Sequence, residues 1–287
     1  MTAHQCQTCT AGPDRVVDHE RAVINVPRGF RGPPQSMHGG AAAGIVACLG
    51  DAHLDGPTVR FNVRLHGPPP LLTDLPFRVV ADDAPGRPAR SRIRFEVTGP
   101  DGTVLSGWAA TAAGISSDEP VVPAGIVADL AAHATLGPAE RQRFDAFVDT
   151  QTEEFSECFG CGSHNTDGLH LRTRPIDERR AWTEWRPEPR WHDGELLATL
   201  PAVAALDCTS AIPLRHVGVM TEGETCLLGT YDGQIHRRPP VAMQDTYRIV
   251  TAARRRDGRK IWADIGLFGP DGEVFITGCA TWIVLAA

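Results

Sequence analysis

Short stretches of the chain alternate polar and apolar residues. Thr58-Val59-Arg60-Phe61-Asn62-Val63-Arg64-Leu65 and Arg92-Ile93-Arg94-Phe95-Glu96-Val97 place every second side chain on an apolar face. A period of two with β-branched content marks half-buried strands, so these segments predict an antiparallel sheet. Gly99-Pro100-Asp101-Gly102 and Gly269-Pro270-Asp271-Gly272 supply proline and residues tolerant of positive φ between strand-like runs, and each predicts a hairpin. Ahead of the strands the pattern changes. His38 to Leu49 and Pro201 to Ile212 are alanine-rich and almost continuously apolar, and each reads as a helix laid against the sheet. A further strand is expected around Leu169 to Arg172, and Trp182, Trp185 and Trp191 alternate with polar residues as strand-borne core or interface anchors.

The predicted elements occur twice. At an offset of 170 residues, His66 answers His236, Phe77 answers Tyr247, and Arg78-Val79-Val80 answers Arg248-Ile249-Val250. The register holds without a gap to Ala110-Thr111 and Ala280-Thr281. A repeat of this length is a domain duplication and not a solenoid. Two tandem copies can pack about a pseudo-two-fold axis within one chain, and a site between them is free to become asymmetric. The copies are expected over 1–112 and 156–287, each with its own core. Residues 113–155 join them through two short helices, Ala124 to Ala134 and Pro138 to Val148.

Composition narrows the class. The chain is 42% hydrophobic and 22% charged with a formal charge of −7, which suits globular domains and argues against a nucleic-acid partner. No apolar run approaches a membrane span, and Met1 to Val16 lacks a hydrophobic signal core, so no membrane partner and a cytoplasmic location are expected. The eight cysteines then read as thiols or metal ligands and not as disulfides.

Several segments resemble one family. Phe30-Arg31-Gly32 followed by Met37-His38-Gly39-Gly40-Ala41-Ala42 resembles the His-Gly-Gly helix start of hotdog-fold acyl-CoA thioesterases. Cys158-Phe159-Gly160-Cys161-Gly162, with Asn165 and Gly168-Leu169, resembles the opening segment of many phenylacetyl-CoA-type hotdog thioesterases. Trp182-Thr183-Glu184-Trp185 and Ala205-Leu206-Asp207-Cys208 are similar to a group of actinobacterial tandem hotdog proteins. The resemblance covers both copies but not the linker. It implies an α+β fold, a tandem double hotdog in which each half is a long helix wrapped by an antiparallel sheet. It also implies hydrolysis of an acyl thioester, acyl-CoA by preference, between the halves.

In the family pattern a carboxylate follows the motif histidine by nine positions, about 13 Å along a helix and roughly half a turn around it. One helix cannot aim both at one carbonyl, so the acid must come from a second helix running antiparallel across the pseudo-two-fold. Here the acid survives only in the second copy, at Asp207, where the first has Ala47. The glycines survive only in the first, at Gly39 and Gly40, where the second has Thr199-Leu200 ahead of Pro201. One composite site is therefore expected. The Gly39 and Gly40 amides would polarise the carbonyl, and Asp207 would act as general base or nucleophile. By resemblance His38 fixes the glycine turn and Asn165 orients water or the carbonyl. The same residues also read structurally: Asp207 as a hydrogen-bonded core acid, Asn165 as a turn residue, and Asp51 as a solvated helix end.

Hydrolysis requires no cofactor. Cys6-x-x-Cys9 and Cys158-x-x-Cys161 nevertheless have the form of two thiolate knuckles that could close a structural zinc site. Arg237 and Arg238 are candidates for the phosphates of CoA, or else solvated hairpin residues. Exposed sheet edges would allow two chains to pair as a homodimer. Two other functions fit the pattern: a non-catalytic acyl-ligand binding or scaffold protein, and a hotdog hydratase or dehydratase.

Overall fold

A computed structural model of the chain describes residues 16–32, 36–82, 88–115, 120–135, 155–216, 219–221, 223–241 and 246–285. The predicted strands form a single antiparallel sheet. In the first repeat these are β1 (Val17–Asp18), β2 (Val23–Asn25), β3 (Arg60–Leu65), β4 (Asp74–Ala81), β5 (Arg92–Gly99) and β6 (Gly102–Ala110). In the second they are β7 (Arg174–Pro175), β8 (Arg180–Trp185), β11 (Thr225–Ile235), β12 (Tyr247–Asp257), β13 (Lys260–Phe268) and β14 (Val274–Leu285). A separate small ribbon pairs β9 (His192–Asp193) with β10 (Leu196–Leu197). The twelve strands lie in the order β1-β2-β4-β5-β6-β3-β11-β14-β13-β12-β8-β7, so one half mirrors the other.

The two halves meet where β3 pairs with β11, and there Asn62 lies opposite Asp232, its own counterpart at the 170-residue offset. The pseudo-two-fold axis therefore passes through this pair, in which Asn62 Nδ2 donates to Asp232 Oδ1 at 2.8 Å. Both Gly-Pro-Asp-Gly segments turn hairpins, β5 to β6 and β13 to β14. Gly102 (φ 122°) and Gly272 (φ 85°) occupy the left-handed region that β-carbons disfavour.

Helix α1 (Gly39–His53) and helix α3 (Thr199–His216) lie across the concave face, each longer than its alanine-rich signal. The described side chains of both are mostly apolar and buried on several faces, because each helix is enclosed by sheet and by the other helix. They run antiparallel in close contact. A β-carbon on Gly40 would sit 2.5 Å from Asp207 Cβ, and one on Gly44 would sit 2.6 Å from the Leu200 carbonyl oxygen. Helix α2 (Ala124–Ala134), the first of the expected linker helices, packs Leu130 and Ala134 against Trp182, Val250 and Phe268 on the outer sheet face. The expected helix from Pro138 to Val148 lies outside the described residues.

Three expectations are corrected. The repeats do not have separate cores: one continuous cluster runs from Val16 and Ile45 in the first to Leu206 and Val284 in the second. Leu169 to Arg172 is not a strand, because the amides of Leu169 and Leu171 bond back to Phe159 and Gly160 (2.7 and 2.9 Å). Trp191 lies not on a strand with Trp182 and Trp185 but in a short 3-10 turn (Pro189–Trp191), packed on Phe159 and Phe30.

Candidate active site

Residues 155–171, expected to open the second repeat, pack on the start of the first as well as on Trp191 and Arg190 of the second. The Phe159 amide donates to the Arg31 carbonyl at 2.7 Å, Arg31 pairs with Glu157, and the Asn165 side-chain amide donates to Gly29 O (2.8 Å) and Glu157 O (3.0 Å). The segment closes over the start of α1, bringing Cys158, Phe159 and Gly160 against His38. Asn165 also accepts from the Asp167 amide at 3.0 Å, so its polar atoms are spent holding this loop to the first repeat. That geometry matches the turn reading.

His38 caps α1. Its Nδ1 accepts from the Ala41 amide at 3.2 Å, which fixes the glycine turn, and its ring is only 2% exposed. Asp207 arrives from the middle of α3, also buried at 3% exposure. Its Oδ2 accepts from the Gly40 amide and lies 3.3 Å from His38 Nε2. Oδ1 is buried and makes no hydrogen bond among the described residues. Burial raises the Asp207 pKa, opposed by His38 and the Gly40 amide. For His38, burial alone would lower the pKa, but Asp207 and Cys158 together outweigh it and hold it at about 9. A half-buried Gly39 lies beside Leu228 of β11 and close to Asp207 Oδ2.

The structure thus brings His38, Gly39, Gly40 and Asp207 together from two repeats. Arg237 and Arg238 lie elsewhere: Arg237, just after β11, pairs with Glu273 of the β13–β14 turn at 2.7 Å, and Arg238 is mostly buried, paired with Asp193 at 2.8 Å. Arg238 also donates to the Leu197 carbonyl at 3.2 Å, holding the approach to α3. Asp51, read from sequence as a solvated helix end, is buried. It accepts from the Thr58 amide (2.8 Å) and the Thr199 hydroxyl (3.3 Å), because α1 continues to His53 and its end packs on the start of α3. Cys6 and Cys9 lie outside the described residues. Two neighbours were not singled out by sequence. Cys208 lies 3.1 Å from His38 Nε2, and Tyr231, stacked on Phe61 (5.9 Å, 14°), has a buried hydroxyl with no partner among the described residues. Burial and then Asp207 push the Tyr231 pKa up. The one available signal was a tyrosine where the first repeat has Phe61 on an apolar strand face. A separate hollow of about 300 Å³, lined by Arg60, Asp232, Arg254 and Trp262, contains none of the predicted site residues.

The class is a double hotdog: two helix-and-sheet repeats joined edge to edge within one chain, with acid and glycines on opposite helices. Solved structures share this fold. A thioesterase-assigned protein from Novosphingobium aromaticivorans is 14% identical with a TM-score of 0.65, covering 96% of this chain and 100% of its own. The acyl-CoA thioesterase II TesB2 of Mycobacterium marinum is 13% identical with a TM-score of 0.57, covering 94% and 95%. The pyran synthase domain from module nine of the sorangicin pathway is 16% identical with a TM-score of 0.56, covering 86% of each. No family model matches the sequence, and no curated protein matches it. Among the described residues no helix is long and apolar enough to cross a membrane.

Proposed function

We propose that the chain hydrolyses an acyl thioester, with acyl-CoA as the substrate class, at the corner where the start of α1 meets Asp207. One observation carries this reading. A buried carboxylate from one repeat lies on the glycine helix start of the other with one oxygen, Oδ1, left without a partner. An unmatched buried carboxylate oxygen is costly unless it has work to do. The thioester carbonyl enters beside Gly39, where the α1 amides and the helix dipole favour the developing oxyanion. As general base Asp207 takes a proton from water, whose oxygen bonds to the acyl carbon as the carbon–sulfur bond breaks, and the proton passes to the leaving thiolate. As nucleophile its carboxylate displaces the thiolate to form an acyl anhydride, which water then hydrolyses to the free acid, restoring Asp207 and supplying the thiolate's proton. The likeness to a thioesterase II supports the substrate class, and the same fold in a pyran synthase domain keeps the fold itself from deciding the reaction.

A second reading, an acyl-ligand binder without turnover, has an observation of its own: the Gly40 amide is already taken by Asp207. A free-thiol assay over a panel of acyl-CoAs separates the two. Wild type is expected to release CoA, and Asp207→Asn to lose about a hundredfold or more in kcat while remaining folded. Hydrolysis unchanged in the variant removes Asp207 from the mechanism. Binding of acyl-CoA by calorimetry with no thiol release favours the binder.

A further inference from the structure

Beside this corner lies a cluster of thiols that thioester hydrolysis does not use. His38 Nε2, Cys158 Sγ and Cys208 Sγ lie within 4.8 Å of one another, and all three residues are buried. Nε2 is 3.1 Å from Cys208 Sγ, and the two sulfurs are 3.5 Å apart. The Cys161 thiol interacts with both Cys158 and Cys208. Two sulfurs and one imidazole nitrogen therefore converge from three separate stretches of chain, and a third sulfur, that of Cys161, adjoins both thiols. We infer that His38, Cys158, Cys161 and Cys208 form a structural zinc site that ties the 155–171 segment to the start of α1 and the middle of α3.

The backbone is shaped for this convergence. The Gly162 amide donates to the Cys158 carbonyl at 2.8 Å, curling Cys158-Phe159-Gly160-Cys161 into a tight knuckle. A β-carbon on Gly160 would lie 2.6 Å from Cys208 Sγ and 2.9 Å from His38 Nε2, so only glycine admits both ligands at that point. Three thiolates and an imidazole suit a tetrahedral thiophilic ion and offer no oxygen donor for magnesium or calcium. Four protein ligands leave no open position, so the ion is structural and not a Lewis acid for substrate. Coordination through Nε2 places the ring proton on Nδ1, and the 3.2 Å contact from the Ala41 amide is given up. One long amide contact is a small loss beside three thiolate–metal bonds. The ligand set differs from the pairing that cysteine spacing alone suggests: His38 and Cys208 stand in place of Cys6 and Cys9. His38 immediately precedes Gly39-Gly40 and Cys208 immediately follows Asp207, so the ion fixes both helices at the corner described above. The assignment goes beyond the thioester reading and does not rest on it.

Full-length protein made with zinc in the medium and passed over a chelating resin is expected to carry about one zinc per chain by elemental mass spectrometry. Cys208→Ser should lose most of that zinc, while Cys279→Ser and the Cys6→Ser/Cys9→Ser double variant should keep it. Replacement of zinc by Co²⁺ in wild type should give the visible bands of a tetrahedral site and a near-ultraviolet thiolate-to-cobalt band. That spectrum decides the matter if Cys208→Ser does not fold. Folded wild type that takes up neither ion overturns the assignment, and so does loss of zinc from the Cys6→Ser/Cys9→Ser protein with retention in Cys208→Ser. Acyl-CoA hydrolysis measured on the same samples separates the two readings: zinc-loaded protein without turnover sinks only the thioesterase, and an active zinc-free enzyme sinks only the metal site.

Discussion

Two aspartates at opposite corners of the helix pair show how a buried acid declares its role. Both oxygens of Asp51 are satisfied, by the Thr58 amide and the Thr199 hydroxyl, whereas Asp207 has one oxygen satisfied and one unpartnered. The first is explained by structure alone and the second is not. Burial is the largest influence on Asp51 and raises its pKa above 3.8, with the Thr58 contacts opposing it. Because the folded-state pKa is the higher one, the ionised carboxylate costs stability at neutral pH. The cost is relieved as pH falls through the raised value and is gone below the unfolded one. Asp51→Asn can accept from Thr58 and donate to the Thr199 oxygen without a charge. It is expected to match or exceed wild type by up to about 1 kcal/mol at pH 7, the gap closing on acidification, by urea unfolding at several pH values. A variant that is less stable by the same margin at every pH would show that the charge carries no cost. Asp207 was legible because an acid inside Val203-Ala204-Ala205-Leu206 contradicts its surroundings. Asp51 was not, because its burial depends on Thr58 and on Thr199, 148 residues away.

The two central helices are set by what glycine permits. Gly40 and Gly44 lie one turn apart on the face of α1 that meets α3, where added β-carbons would strike Asp207 Cβ and the Leu200 carbonyl oxygen. The obstacle at Gly44 is backbone, so no side chain can rotate away. Gly44→Ala is expected to cost about 1–3 kcal/mol in denaturant unfolding, against the usual helix-propensity gain. Gly125→Ala on the exposed α2, where a β-carbon meets open space, should stay within about 0.5 kcal/mol of wild type. Equal effects at both positions would mean that the helices are not held at contact. Separation of α1 from α3 also draws Asp207 away from Gly40, so Gly44→Ala should lose turnover together with stability. At this scale the helices, the hairpins and the antiparallel crossing were legible from periodicity and helix dimensions. The 155–171 segment was not: its Cys-Phe-Gly-Cys turn, Asn165 and the strand-like sequence around Leu169 look like the opening of the second repeat, and only tertiary contacts lay them over the first.

For the molecule as a whole, the duplication was legible in the offset of 170 residues but the sharing of the core was not. Alternation reports that a strand has an inner face and cannot report whose side chains that face meets. In the folded chain the helices cross at the boundary between repeats, β3 and β11 close the sheet across it, and Phe61 stacks on Tyr231 at the junction. One apolar cluster spans both halves, so exposing either repeat alone would strip the buried face of its helix. The repeats should therefore unfold together. Trp108 is the single tryptophan of the first repeat and the rest lie in the second, so fluorescence weights the second half while far-ultraviolet circular dichroism reports both. In urea the two signals are expected to fall in one coincident transition. Gly233, at the junction, has no room for a side chain because a β-carbon would run into the Phe61 ring. Gly233→Val should lower the midpoint of that single transition, by a few kcal/mol in stability, without splitting it. Two resolved transitions in wild type, or a Gly233→Val protein in which the fluorescence midpoint stays put while the circular dichroism shifts, would show two independently folding domains. The composite corner of Gly40 and Asp207 would then depend on domain docking and not on one shared core.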